Sequence, residues 1–176
     1  MARDYHEVAA RIGSVCDGED DAIALMATVA CELRQAFEDF HWVGFYRVAG
    51  PELLKIGPYQ GGHGCLEIPF ARGVCGAAAR KERTQVVADV EAFPGHIACA
   101  ASTRSEIVVP VFDGKGVLVA VLDVDSDRPA AFDAHDASAL EALMAAVFGG
   151  RTGGDAIAVR PQGPTGEGRR PYTGSG

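Results

Sequence analysis

The sequence predicts an α+β domain: a mostly antiparallel sheet with helices packed on it. Three observations lead there. Apolar-periodic segments lie at both ends of the folded part of the chain, two strand–turn–strand patterns lie between them, and the links are short.

Asp4 to about Cys16 reads as a short helix with Asp4 as its cap, broken by Asp17-Gly18. Asp20 to Asp39 reads as a long helix whose apolar stripe includes Ile23, Leu25, Met26, Val29, Leu33 and Phe37. His41 to Val48 is a strand, with Trp42, Gly44 and Tyr46 on one face and Val43, Phe45 and Arg47 on the other. Ala49-Gly50-Pro51 turns the chain, and Glu52 to Ile56 brings it back as a hairpin. Gly57 to Gly64 then reads as a glycine-rich loop. It lacks the G-x-x-x-x-G-K-[ST] pattern and precedes a strand, so it is a weak candidate for phosphate binding.

Cys65 to Phe70 is a short strand, Gly73 to Lys81 a short helix, and Thr84 to Val87 another short strand. After a loop, Ser105 to Phe112 and Val117 to Asp125 form a second hairpin around Asp113-Gly114-Lys115-Gly116. Asp123 and Asp125 stand two apart on its second strand and so face one side. Asp133 caps a closing helix to Phe148, buried through Leu140, Leu143, Met144 and Val147. Residues 149–176 are rich in Gly and Pro with almost nothing to bury, and are expected to be disordered. The folded domain is therefore expected over residues 1–148. The loops from Gly57 and from Val90 are placed to cover a pocket over one sheet face.

The totals narrow the function. A chain of 176 residues is one domain with a tail. The formal net charge is -8 and the pI ≈ 5.0, which argues against nucleic acid and against an anionic membrane surface. No stretch approaches the ~20 apolar residues of a membrane span. The start is polar from Arg3 to Glu7, unlike a signal peptide. Five cysteines, an odd number without an export signal, read as reduced thiols in a cytoplasmic protein. Cys16 and Cys31 fall in helices and read as structural. Cys65, Cys75 and Cys99 fall in loops and junctions ten and then 24 residues apart, which fits neither a zinc ribbon nor a C-x-x-C redox motif.

Phe93 to Glu106, F-P-G-H-I-A-C-A-A-S-T-R-S-E, concentrates the chemistry. His96 precedes Cys99 by three, and Ser102, Arg104, Ser105 and Glu106 follow. Nearby positive charge favours a thiolate. Cys75, in the first turn of its helix, is a second candidate for a lowered pKa. An attacking thiol with one or two resolving thiols is what a recycling redox enzyme needs. Taken alone, each cysteine also fits a small buried core residue.

H-W-V-G-F-Y, G-P-Y-Q-G, C-L-E-I-P-F-A-R-G-V-C-G, D-V-E-A-F-P-G-H-I-A-C, S-T-R-S-E-I-V-V-P and L-D-V-D-S, in that order, resemble the free methionine-(R)-sulfoxide reductases, enzymes on a GAF fold. The resemblance runs from about the first helix to Phe148. It implies thiol-dependent reduction of free L-methionine (R)-sulfoxide through a sulfenic acid and an intramolecular disulfide. Cys99 matches the attacking thiol, Cys65 the resolving thiol and Cys75 a third family cysteine, with the order of attack left open. Trp42 and Tyr46 match aromatic pocket walls. Glu106, Asp123 and Asp125 match substrate-binding carboxylates, with Asp125 and Glu106 expected at the sulfoxide oxygen. The resemblance implies no bound cofactor or metal, and a thioredoxin-like dithiol as reductant. A homodimer is compatible with the sequence, which does not fix an oligomeric state. Two departures stand out. Ala100 replaces a frequent aspartate, and Gly61-Gly62-His63-Gly64 replaces a more usual G-K-P-A. The alternatives are a non-catalytic GAF small-molecule sensor and a thiol peroxide sensor.

Overall fold

A computed structural model describes residues 3–97, 99 and 101–150; the expected disordered tail, beyond Gly150, lies outside the described residues. The elements run α1 (His6–Val15), α2 (Ala22–Ala36), β1 (Trp42–Gly50), β2 (Leu53–Gln60), β3 (Glu67–Pro69), α3 (Gly73–Lys81), β4 (Gln85–Val87), a 3-10 turn (Val90–Ala92), β5 (Ser105–Phe112), β6 (Leu118–Ser126) and α4 (Ala134–Phe148). The six strands form one sheet in the order β3-β2-β1-β6-β5-β4, and every pairing is antiparallel.

The sheet is buried on both faces, which is why β5 reads as a continuous apolar run rather than an alternating one. Val43, Phe45, Ile107, Val109, Leu122 and Val124 pack against α1, α2 and α4. Trp42, Tyr46, Val108 and Val121 form a second core with α3, Leu54 and Ile68. The two faces of β1 divide as its alternation predicts. Pro110 is tolerated in β5 because β4 pairs only as far as Val108, so no partner requires its missing N–H on that side.

Asp21 caps α2, its side chain accepting from the Ala24 N–H at 2.9 Å. Asp133 caps α4 in a reciprocal box with Asp136. Asp4 does not cap α1: its carboxylate accepts from the His6 N–H at 2.9 Å, and Tyr5 takes the cap position. In α2, Ala22 and Ala30 join the buried stripe, while Ile23 turns outward and is 37% exposed. The closing stripe of α4 is buried as expected.

The largest difference from expectation is β2. Gly57 to Gln60 are strand, not loop: Gly44 pairs with Tyr59 and Val43 with Gln60. β3 pairs with β2 only over Leu53 to Lys55, so Pro58 lies where β2 has one neighbour and needs no second ladder bond. Gly44 permits this approach. A Cβ there would lie 2.4 Å from Tyr59 Cβ and 2.5 Å from the Trp42 ring. β3 is correspondingly shorter than expected, leaving Cys65 and Leu66 outside it.

Candidate active site

Strand alternation and register build the site. Asp123 and Asp125 point to the α3 face of β6, and Glu106 does so from β5. Trp42, Asp125 and Glu106 form one row across β1, β6 and β5; Gly44, Asp123 and Val108 form the next. The three carboxyl groups are buried, and one oxygen of each lies within 4.8 Å of the others. Glu106 Oε1, Asp123 Oδ1 and Asp125 Oδ1 have no hydrogen-bond partner among the described residues. Carboxyl groups left open in a buried place mark a site for a polar ligand, since such atoms are costly unless satisfied. The trio also has the oxygen donors a hard cation would take.

Burial sets the protonation of this floor. It pushes all three carboxyl groups up, and mutual repulsion adds to the effect on Glu106 and Asp123. Asp125 is raised by burial to about 7, partly offset by hydrogen bonds from Glu106 and Thr103. Part of the trio is therefore protonated near neutrality and can donate.

Cys75 is where α3 brings it over the sheet. Its Sγ donates to Asp123 Oδ2 at 3.3 Å. The expectation of a lowered pKa at this helix start is overturned: complete burial and the facing carboxylates push the thiol up. The helix dipole is outweighed by desolvation and like charge. Cys75 is a protonated donor that holds Asp123.

Cys65 and Cys99 are joined as a disulfide, with Cα atoms 5.2 Å apart. Cys99 lines the same pocket as Glu106, Asp123 and Asp125, under Trp42 and Tyr46. Trp42 stacks between Tyr46 and Tyr59, with ring centroids at 5.9 and 5.4 Å, and its Nε1 donates to the Gly62 carbonyl at 3.1 Å. Tyr46 is held neutral by burial and by Asp123, and its hydroxyl lies against the Gly64–Cys65 backbone. His63, Gly64, His96, Ile97 and Thr103 also line it, so the two expected loops do meet over one sheet face.

Of the polar residues flanking Cys99, His96 lies in the pocket and is kept neutral by burial. Arg104 does not: it is exposed, its backbone spent on Ser126 and Val90. Ser102 bonds His41 at 3.4 Å, and Ser105 donates to the Arg128 carbonyl at 2.6 Å, so both act in loop anchoring. Thr103 was not singled out in the sequence. Its one signal is its place three residues before Glu106 at a strand entry.

A GAF domain model matches residues 16–147. The free methionine-R-sulfoxide reductase of Escherichia coli is 36% identical over 80% of this chain and 84% of its own. The chain belongs to the free methionine-R-sulfoxide reductase family. GAF domain-containing protein A of Dictyostelium discoideum is 42% identical over 80% of this chain and 87% of its own. The free methionine-R-sulfoxide reductase of Neisseria meningitidis, solved in complex with its substrate, superimposes with a TM-score of 0.78 at 46% identity, covering 84% of this chain and 90% of that one. The GAF expectation for the fold is thereby met. Among the described residues, no helix is long and apolar enough to cross a membrane.

Proposed function

We propose that this protein reduces free L-methionine (R)-sulfoxide to L-methionine, with Cys99 as the attacking thiolate and Cys65 as the resolving thiol. The observation that carries the reading is a disulfide on the wall of a pocket floored by three buried, unpartnered carboxyl groups. A sulfoxide sulfur becomes a competent electrophile once its oxygen is protonated or strongly hydrogen-bonded. Asp125, with Glu106, supplies that proton as the Cys99 thiolate attacks. Such general acid help is worth about 10²–10⁴-fold. The oxygen passes to Cys99 as a sulfenic acid and methionine leaves. The Cys65 thiol condenses with the sulfenic acid, water departs, and the Cys65–Cys99 disulfide closes. An external dithiol, of the thioredoxin type in our reading, then restores both thiols.

Preference for the free amino acid follows from charge. An α-ammonium pairs with Asp123, whose Oδ1 is unpartnered while Cys75 holds Oδ2; a peptide-bound residue offers no such cation. Trp42 and Tyr46 pack the methyl and methylene groups. We place the protein in the cytoplasm, where its thiols stay reduced between turnovers.

The test is a turnover assay on the two methionine sulfoxide epimers with a dithiol reductant, run beside Cys99→Ser. Loss of the (R) epimer alone, abolished in the variant, is the expected result. Folded, reduced protein that consumes neither epimer would overturn the reading. If hydrogen peroxide then still formed the disulfide, a redox sensor would be the better account.

A further inference from the structure

The Cys65–Cys99 disulfide separates two environments. Cys99 lines the substrate pocket and Cys65 does not, although both are half-buried. Leu66, next to Cys65, is 74% exposed, more than Val15, Ile23, Val86 or Val117, the other exposed large hydrophobic residues among those described. Its backbone is nonetheless held, the Leu66 carbonyl accepting from the Ile56 N–H at 3.0 Å. Leu66 and Ile56 line a shallow groove with Lys55 and Glu67. Those two charges are paired at 2.9 Å, so the groove has an apolar surface and a self-neutralised rim. A well-anchored loop that presents a large apolar side chain to solvent beside a reducible bond is suited to a partner that must reach that bond.

We propose that Leu66 and the groove it forms with Ile56 are the docking surface for a dithiol protein reductant, whose thiolate attacks Cys65 Sγ from outside the substrate pocket. This rests on the redox role proposed above. The new S–S bond joins the partner to Cys65 as the Cys65–Cys99 bond breaks, and Cys99 leaves as a thiolate. The partner's second thiol then attacks its own sulfur in the mixed disulfide and releases Cys65. The partner departs oxidised, and its two thiol protons balance those gained by Cys65 and Cys99. Attack at Cys65 leaves Cys99 inside the pocket, ready for the next sulfoxide.

The experiment compares reductants on the full chain. Turnover is measured with dithiothreitol, and separately with thioredoxin, its reductase and NADPH, for the unmodified protein, Leu66→Ser, Leu66→Glu and the distant control Val117→Ser. We expect kcat/KM for thioredoxin to fall about tenfold in Leu66→Ser and further in Leu66→Glu. Dithiothreitol-supported turnover stays within about twofold, since a small dithiol needs no docking surface. Val117→Ser changes neither. Equal losses with both reductants, or no loss with thioredoxin, overturn the proposal. So does a change in sedimentation on mutation, which would mean that a second copy of the chain covers Leu66. Direct reduction of the disulfide, followed by thiol titration, gives the same comparison if methionine sulfoxide is not the substrate.

Discussion

Asp125 shows how one residue reconciles a costly position with a use. Its row partners are Trp42 and Glu106, and burial raises its pKa from 3.8 to about 7. A carboxyl group raised in this way favours the fold fully below its unfolded value, and that contribution is lost as pH rises through about 7. The shift corresponds to roughly 4 kcal/mol. Asn at this position cannot ionise. Asp125→Asn is therefore expected to gain roughly 2–4 kcal/mol on the unmodified protein between pH 4 and pH 8, read from urea unfolding at both values. A constant difference across that range would contradict the buried-acid account. With Asp125 and Glu106 as the proposed proton donors, turnover is expected to fall on the alkaline side as the pair loses its proton, read from a pH–rate profile. Alternation alone placed Asp123 and Asp125 on one face. Their burial was not legible, because acidic residues near a strand end are equally at home in solvent; α3 and the loop through Cys99, distant in sequence, exclude the water. The reversal at Cys75 has the same origin, since helix position is a local property and desolvation is not.

At the scale of elements, α3 matters most, because it carries Cys75 onto Asp123 and roofs the second core. Gly76 sets how closely it approaches the chain after β3: a Cβ there would meet the Pro69 carbonyl oxygen at 2.6 Å and that of Phe70 at 2.7 Å. Both obstacles are backbone and cannot swing aside as a side chain would. In an open helix Gly→Ala is stabilising. Here Gly76→Ala is expected to cost about 1–3 kcal/mol by overpacking, seen as a lower urea midpoint with unchanged slope. Unchanged stability would mean that α3 can tilt without penalty. The bounds of α3 were legible because its glycine-alanine run is flanked by charged residues and followed by three further strands. Past Ile56 the end of β2 is not legible, because Gly57-Pro58 signals a turn by local chemistry. Tertiary context decides otherwise: β1 supplies a ladder on one side, no strand claims the other, and Trp42 needs Tyr59 as a stacking surface.

For the whole molecule, disulfide and substrate are expected to compete for one space. With Cys65 and Cys99 joined, the cavity beside Cys99 is small, about 30 Å³. The bond also closes a loop across a sequence separation of 34. Loop-closure entropy credits such a crosslink with roughly 3–4 kcal/mol. The oxidised protein should thus be the more stable form, and the small cavity predicts that it does not bind the amino acid. Reduction removes that crosslink, and the pocket is then expected to open. Methionine, the product, probes this without turnover. At about 100 times its Kd it would stabilise the reduced protein by roughly 2.7 kcal/mol, raising Tm by about 5–10 °C for a chain of this length. In the oxidised protein the same methionine concentration should leave Tm unchanged. An equal rise in both forms would show that the disulfide does not close the pocket, and product would then be free to occupy the enzyme throughout its recycling. A rise confined to the reduced form would make the disulfide itself the step that clears the site before the reductant arrives.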